Sequence, residues 1–306
     1  MDTKWIILIL FSLIANYIYH EYKQSEETFE SHEHYQLVGE YFLDKGNKKK
    51  PILWIHTSTE VNARNWESFY SRNSTKLNQP YLQITMKSIY DKCKDSFNIC
   101  LINDESFASL LSWNVELNDL ADPVKSHYRQ LGLSMLLHQY GGILVPQSFL
   151  CTNDLKPLTN ESFFVMENHN RGITHDQRPY FPDMSFMGCK KKNDTMKRFV
   201  DYQEELYKDK TEQADFIGNE SLWLQRNATV IDGSWIGIKK VDQTPVSLAE
   251  LLGTSHVDLL PHYGIYLCQK EILQRPKYSW FARMSTDQIL ESPLFFSKKV
   301  HESYKM

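Results

Sequence analysis

The chain has 306 residues, 42% of them hydrophobic and 13% aromatic, ample for one large core or at most two smaller ones. A formal net charge of −4, with no basic run longer than Lys48–Lys50 or Lys190–Lys192, argues against a nucleic-acid partner held by charge. The five cysteines (Cys93, Cys100, Cys151, Cys189, Cys268) form no C-x-x-C pair, which disfavours a zinc ribbon or thioredoxin-type site.

Residues 5–19, WIILILFSLIANYIY, are apolar almost throughout and span about 22 Å as a helix. Trp5, Tyr17, Tyr19 and Tyr22 stand at the two ends, where amphipathic rings favour a membrane interface. Residues 1–22 therefore read as a signal anchor, with a cleaved signal peptide or a buried helix as the alternatives. The cleavage pattern is poor, because Ala15 is followed by Asn16 and Tyr17. Residues 23–49 read as a polar stem and 50–306 as the globular domain. The expectation is a single-pass type II membrane protein of the secretory pathway, its body in the ER or Golgi lumen. Five N-x-[S/T] acceptors agree with a lumenal body: Asn73, Asn160, Asn193, Asn219 and Asn227. In an oxidising lumen Cys93 and Cys100 are close enough in sequence to bridge; buried free thiols are the equal alternative.

From Pro51 strand-like and helix-like pieces alternate. Strands are predicted at ILWIH (52–56), FNICLIN (97–103), ILV (143–145), SFFVMEN (162–168), MSFMGCK (184–190), WIGIK (235–239) and GIYLC (264–268). Helices are predicted within 66–81, at 106–113, from Asp122-Pro123 to Gln139, and at 193–209 with an Asn or Asp cap. Gly141 fits the left-handed residue that closes the helix before it. The alternation predicts an α/β fold with a mostly parallel sheet flanked by helices.

The pieces PILWIH, FNICLINDESF, QYGGILV and MSFMGCKKKNDTMKRF, within residues 50–205, resemble the GT-A-fold glycosyltransferases of the capsular-polysaccharide-synthesis and DxD-sugar-binding type. The resemblance implies a Rossmann-like GT-A domain, a nucleotide-sugar donor and a glycan acceptor. In that family two aspartates at i and i+2 after the YGG strand hold a divalent Mg²⁺ or Mn²⁺ against the leaving diphosphate. Here those positions are Pro146 and Ser148, so no metal site is expected. The donor-binding Asp and Arg of the preceding helix fall on Gln130 and Leu133. Arg129 is the nearest replacement, but the lean of helical side chains is expected to carry it away from the strand end. Asp154 is a carboxylate within reach through a loop, and His256, His262 and His301 stand in the region where the family places a metal-completing histidine.

The donor-binding candidates are thus Trp54, His56, Asn103, Asp104, Arg129, Tyr140, Gly141, Gly142 and Ser148. Lys125, Arg129, Arg171, Arg178 and Lys190–Lys192 are the cations available to a metal-independent site. The long polar loop 167–183 carries His169, His175 and Asp176 as acceptor-recognition candidates. No nucleophile elbow or phosphate-binding glycine loop is present, which disfavours a hydrolase or P-loop enzyme. The expected function is nucleotide-sugar-dependent sugar transfer in glycan assembly through a degenerate or metal-independent site. The alternative is a catalytically inactive glycan- or protein-binding relative on the same scaffold.

Overall fold

The computed structural model describes residues 42, 49–57, 79–111, 113–170, 178–208 and 215–305. A six-stranded sheet forms the centre, in the order β2 (Asn98–Ile102), β1 (Ile52–His56), β3 (Gly142–Pro146), β6 (Tyr180–Cys189), β5 (Phe163–His169), β7 (Thr229–Ile231). Five of its strands run in one direction and β6 alone is reversed. The fold is accordingly mixed α/β with a mostly parallel sheet. A two-stranded ribbon pairs β4 (Phe149–Cys151) with β8 (Gly264–Tyr266).

β1 and β3 are continuous apolar runs because the sheet is covered on both faces. Trp54 packs into one core with Phe107, Leu136, Leu144 and Phe199. Its neighbours Leu53 and Ile55 point the other way, into a core with Ile99, Val145, Phe164 and Phe186. The first core lies under α2 (Ser106–Leu111), α3 (Val124–Tyr140), α4 (Asp194–Lys208) and α5 (Phe216–Asn227). α1 (Tyr81–Cys93) joins the second core to a third. That third core is built with α6 (Leu248–Leu251), α7 (Gln269–Gln274), α8 (Thr286–Glu291) and α9 (Phe295–Lys305).

The Tyr140-Gly141-Gly142 turn is a packing junction. Gly141 and Gly142 adopt φ of 73° and 108°, values that L side chains rarely take. A Cβ at Gly142 would sit 2.3 Å from the Ile52 carbonyl oxygen, and one at Gly141 2.6 Å from the Lys191 nitrogen. Trp54 Nε1 donates to the Gly141 carbonyl at 2.9 Å, and the Tyr140 hydroxyl to the Leu110 carbonyl at 2.8 Å.

Several expectations need correction. Among the described residues no helix is long and apolar enough to cross a membrane, so the single-pass placement is not supported; residues 1–22 and most of the expected stem lie outside the described residues. WIGIK is not a strand: a 3-10 turn covers Gly233–Ile236, with the Ser234 N–H met by the Asp232 side chain, the Gly233 N–H by Glu167 Oε2, and its end closed by left-handed Gly237. Most of the helix placed within 66–81 also lies outside the described residues, and α1 runs instead from Tyr81 to Cys93. Cys93 and Cys100 belong to cores on opposite faces of the sheet and do not bridge; all five thiols are free and buried.

Two substitutions probe this packing. Gly142→Ala adds a strained φ and a clash with Ile52, so it lowers unfolding free energy by about 1–3 kcal/mol or more, measured by denaturant titration. Glu220, 1% exposed, accepts hydrogen bonds at Oε1 from the Tyr207 hydroxyl and from Gln203 Nε2. Burial outweighs those two bonds and raises its carboxyl to about 7 from an ordinary 4.5. The folded state then holds the proton more tightly, and the associated stability is present below pH 4.5 and lost as pH rises to 7. Glu220→Gln removes that dependence and is more stable than the parent at pH 8 by up to roughly 3 kcal/mol, while the two converge at about pH 4.

Candidate functional site

Strands β1, β2 and β3 are parallel and in register, with His56 level with Ile102 and with Pro146, so their carboxyl ends open on one edge. α3 leads directly into the amino end of β3, so its own amino-terminal turns lie toward that same edge. The lean of its side chains therefore carries Arg129 toward the strand ends, opposite to the sequence-based expectation.

Asp104 follows β2 and is the centre of the edge. Its Oδ1 accepts from Arg129 Nε at 2.7 Å and from His56 Nε2 at 2.9 Å, while its Oδ2 accepts from Arg129 Nη2 at 2.8 Å. Because a carboxylate only accepts, His56 carries its proton on Nε2. Lys125 Nζ stands 3.9 Å from Oδ2. Burial alone would push the Asp104 carboxyl up, but the bonds from Arg129 and then His56 prevail and hold it well below the usual carboxylate range. The His56 ring lies parallel to Phe107, with centroids 5.8 Å apart, which fixes its plane.

Asn103 serves the backbone instead. Its Oδ1 accepts from the Ser106 N–H at 3.0 Å and hydroxyl at 2.8 Å, starting α2. The exit of β3 is filled. Ser148, 2% exposed, donates its hydroxyl to the Leu267 carbonyl at 2.7 Å. Gln147, 4% exposed, donates from Nε2 to Gln269 Oε1 at 3.0 Å, and its carbonyl accepts from Thr85 Oγ1 at 2.6 Å. A divalent metal does not fit these residues. Pro146 has no side-chain ligand, Ser148 offers only a buried neutral hydroxyl, and both Asp104 oxygens are held by Arg129. Among the described residues no three His, Cys, Asp or Glu side chains are grouped as a metal requires.

The other sequence-derived candidates divide by place. Trp54 is buried in the core, and Tyr140, Gly141 and Gly142 lie at the amino end of β3, the opposite edge of the sheet. There they line a cleft of about 310 Å³ with Lys190 and Lys191. Asp154 accepts from the Ser96 hydroxyl, before β2, and from the Lys156 N–H at 3.0 Å, so it does not reach the strand exits. Gln130 donates weakly to the Met184 carbonyl at 3.4 Å and Leu133 is buried. His169 ends β5 level with Tyr180, ring centroids 6.0 Å apart, while Arg171, His175 and Asp176 lie outside the described residues. The Arg178 carbonyl accepts from Asn170 Nδ2 at 3.1 Å. His256 pairs with Asp258 at 3.1 Å and His301 bonds the Leu290 carbonyl at 2.7 Å, both exposed. Among the glycosylation acceptors Asn160 and Asn227 are exposed, Asn219 is half-buried in α5, the Asn193 amide donates to Ser162, and Asn73 lies outside the described residues.

One charged group escaped the sequence reading. Lys239 Nζ lies 2.5 Å from Glu167 Oε2 and 2.7 Å from Asp232 Oδ2, and 4.3 Å from the centre of the Tyr180 ring. Its residues come from β5, β6 and the segment after β7, and its charges are met internally. The signal in the sequence was slight, since Lys239 looked like the end of a strand.

No family profile matches the sequence, and no curated protein matches it. Among solved structures the chain is similar to the PaToxG glycosyltransferase, with 10% identity and a TM-score of 0.34 over 67% of this chain and 77% of that one. It is also similar to the galactosyltransferase LgtC solved with donor and acceptor sugar analogs, with 12% identity and a TM-score of 0.40 over 78% of this chain and 94% of that one.

Asp104 sets the stability of the edge. Its lowered carboxyl means that the contribution is present above the ordinary carboxylate range and fades as pH falls below it. Asp104→Asn leaves the Arg129 guanidinium short of its charged partner and costs roughly 1.5–3 kcal/mol at neutral pH, by thermal unfolding. The difference from the parent narrows as the medium is made acidic.

Proposed function

We propose that the chain is a glycosyltransferase-like protein of glycan assembly that takes a nucleotide-sugar at the edge formed by His56, Asp104, Lys125 and Arg129. The observation that carries this reading is the convergence of two basic side chains, Lys125 and Arg129, on a single carboxylate at the carboxyl ends of parallel strands. In open α/β sheets that is where ligands bind. The local balance is positive by one charge, and the amino-terminal turns of the 17-residue α3 add the positive end of a helix dipole. Such an edge suits a diphosphate.

In sugar transfer an acceptor hydroxyl attacks the anomeric carbon and gives up its proton, and the sugar–phosphate bond breaks with its electron pair going to the diphosphate. Side-chain cations in a fixed place neutralise that growing charge. Arg129 is held by the paired bonds to Asp104, so its guanidinium needs no rearrangement when charge develops. Lys125 supplies a longer-range point charge.

A second reading has one observation in its favour. The exit of β3, where the resembled family reacts, is occupied by Gln147 and Ser148 bonded to the carboxyl-terminal third. That filling supports a catalytically inactive protein that binds glycans or proteins on the same scaffold.

Titration calorimetry against UDP-, GDP-, CMP- and dTDP-sugars, with and without Mn²⁺, separates the two. Binding to at least one donor without metal is expected, and Lys125→Gln weakens it by about tenfold, the loss of one charge-assisted contact. Failure of every donor to bind leaves the inactive reading, and binding that requires Mn²⁺ refutes the metal-independent one.

A further inference from the structure

A cleft of about 430 Å³ opens between the turn after β7, the residues flanking the β4–β8 ribbon and α9. Trp235 lines it and is 41% exposed, although Trp54 and most other large aromatic side chains are buried. Its backbone is fixed on both sides: the N–H donates to the Asp232 carbonyl at 3.1 Å, and the carbonyl accepts from the Tyr263 N–H at 2.8 Å. The Trp235 and Tyr263 rings stack, with centroids 5.0 Å and planes 28° apart. A lone exposed tryptophan calls for no explanation. One immobilised on a second ring beside a cleft is a flat apolar face prepared in advance.

The polar groups around that face are complementary to a ligand rather than to one another. Among the described residues the Trp235 indole N–H and Asn153 Oδ1 have no hydrogen-bond partner; the Asn153 amide nitrogen donates to the His262 carbonyl at 2.7 Å, which aims the amide. His262 Nδ1 lies 2.6 Å from the Leu260 carbonyl, which only accepts, so the proton is on Nδ1. Burial pushes the imidazole below its ordinary range, and the neutral ring leaves Nε2 as an acceptor. Lys299 and Glu302 pair at 2.7 Å, so the cleft carries no net charge from them.

The geometry points to a binding site for a neutral saccharide, its ring laid on the Trp235–Tyr263 face and its hydroxyls met by Trp235 Nε1, Asn153 Oδ1 and His262 Nε2. A pyranose presents a C–H-rich face that packs on the electron-rich face of an aromatic ring. Each of its hydroxyls both donates and accepts, which one fixed donor beside two fixed acceptors satisfies. Phosphorylated or sulfated ligands would need an excess of positive charge that the Lys299–Glu302 pair cancels. The site goes beyond the nucleotide-sugar reading and does not depend on it.

Titration calorimetry of the full chain, without nucleotide, against neutral malto-, chito-, manno- and xylo-oligosaccharides, followed by ligand-observed NMR, tests the site. At least one series binds, and Trp235→Ala weakens it about tenfold or more, while Trp235→Phe, which keeps an aromatic face, loses less. Trp235→Ala loses the stacking on Tyr263 and unfolds at a somewhat lower temperature, Trp235→Phe stays near the parent value, and any nucleotide-sugar binding is unchanged in both. Absence of binding to every series, or equal binding by parent and Trp235→Ala, overturns the site. Binding of a polyproline peptide to the cleft in place of sugars also overturns it, since aromatic grooves serve that ligand too.

Discussion

β3 is brought against β1 at a separation that no side chain at residue 142 permits. The Ile52 carbonyl fills the place a Cβ would take, and the Trp54 indole N–H reaches across to the Gly141 carbonyl to hold the strands there. That approach sets the register in which His56 stands level with Pro146. Because α3 ends at the same turn, the approach also fixes which end of α3 faces the strand exits. The Asp104–Arg129 pair is a consequence. A guanidinium in the second turn of α3 meets a carboxylate just after β2 only because the two glycines place helix and strand back to back.

The Tyr-Gly-Gly segment was therefore legible as a fold marker, while its place at the amino end of β3, away from the strand exits, was not. Its glycines, with the Trp54 indole that bonds the Gly141 carbonyl, shape the junction at the far edge of the sheet. Strands β1, β2, β3, β5 and β6 were legible because each is a run of apolar residues bounded by polar ones, and α3 because its apolar residues recur at helical spacing. The Asp104–Arg129 contact was not, since it joins residues 25 apart and depends on the direction of a helix relative to a strand. WIGIK has the composition of a strand, but Asp232 and Gly237 impose a turn through side-chain capping and a left-handed residue, and local chemistry prevails. Two short helices of the carboxyl-terminal third carried a readable signal that the apolar pattern hid. Ser247 with Glu250, and Ser285 with Gln288, are reciprocal caps three residues apart.

Charge along the carboxyl edge of the sheet is arranged in two separate groups. At β1 and β2 cations outnumber the carboxylate they surround, while near β5 and β7 Lys239 is outnumbered by Glu167 and Asp232. A polar ligand lying along that edge thus meets an attractive field for anions at one flank and the reverse at the other. The exit of β3, between them, is closed by neutral amide and hydroxyl groups.

The bonds that close the β3 exit also carry a consequence for assembly. Ser148 reaches Leu267 across 119 positions of sequence, and Gln147 reaches Gln269 across 122. Contacts of such separation form late, because the intervening chain must first be ordered. Strands β1 to β3 and the Asp104–Arg129 pair are complete in sequence by residue 146, well before Leu267 and Gln269 are added. The seal on the β3 exit is thus among the later long-range contacts of the fold to form.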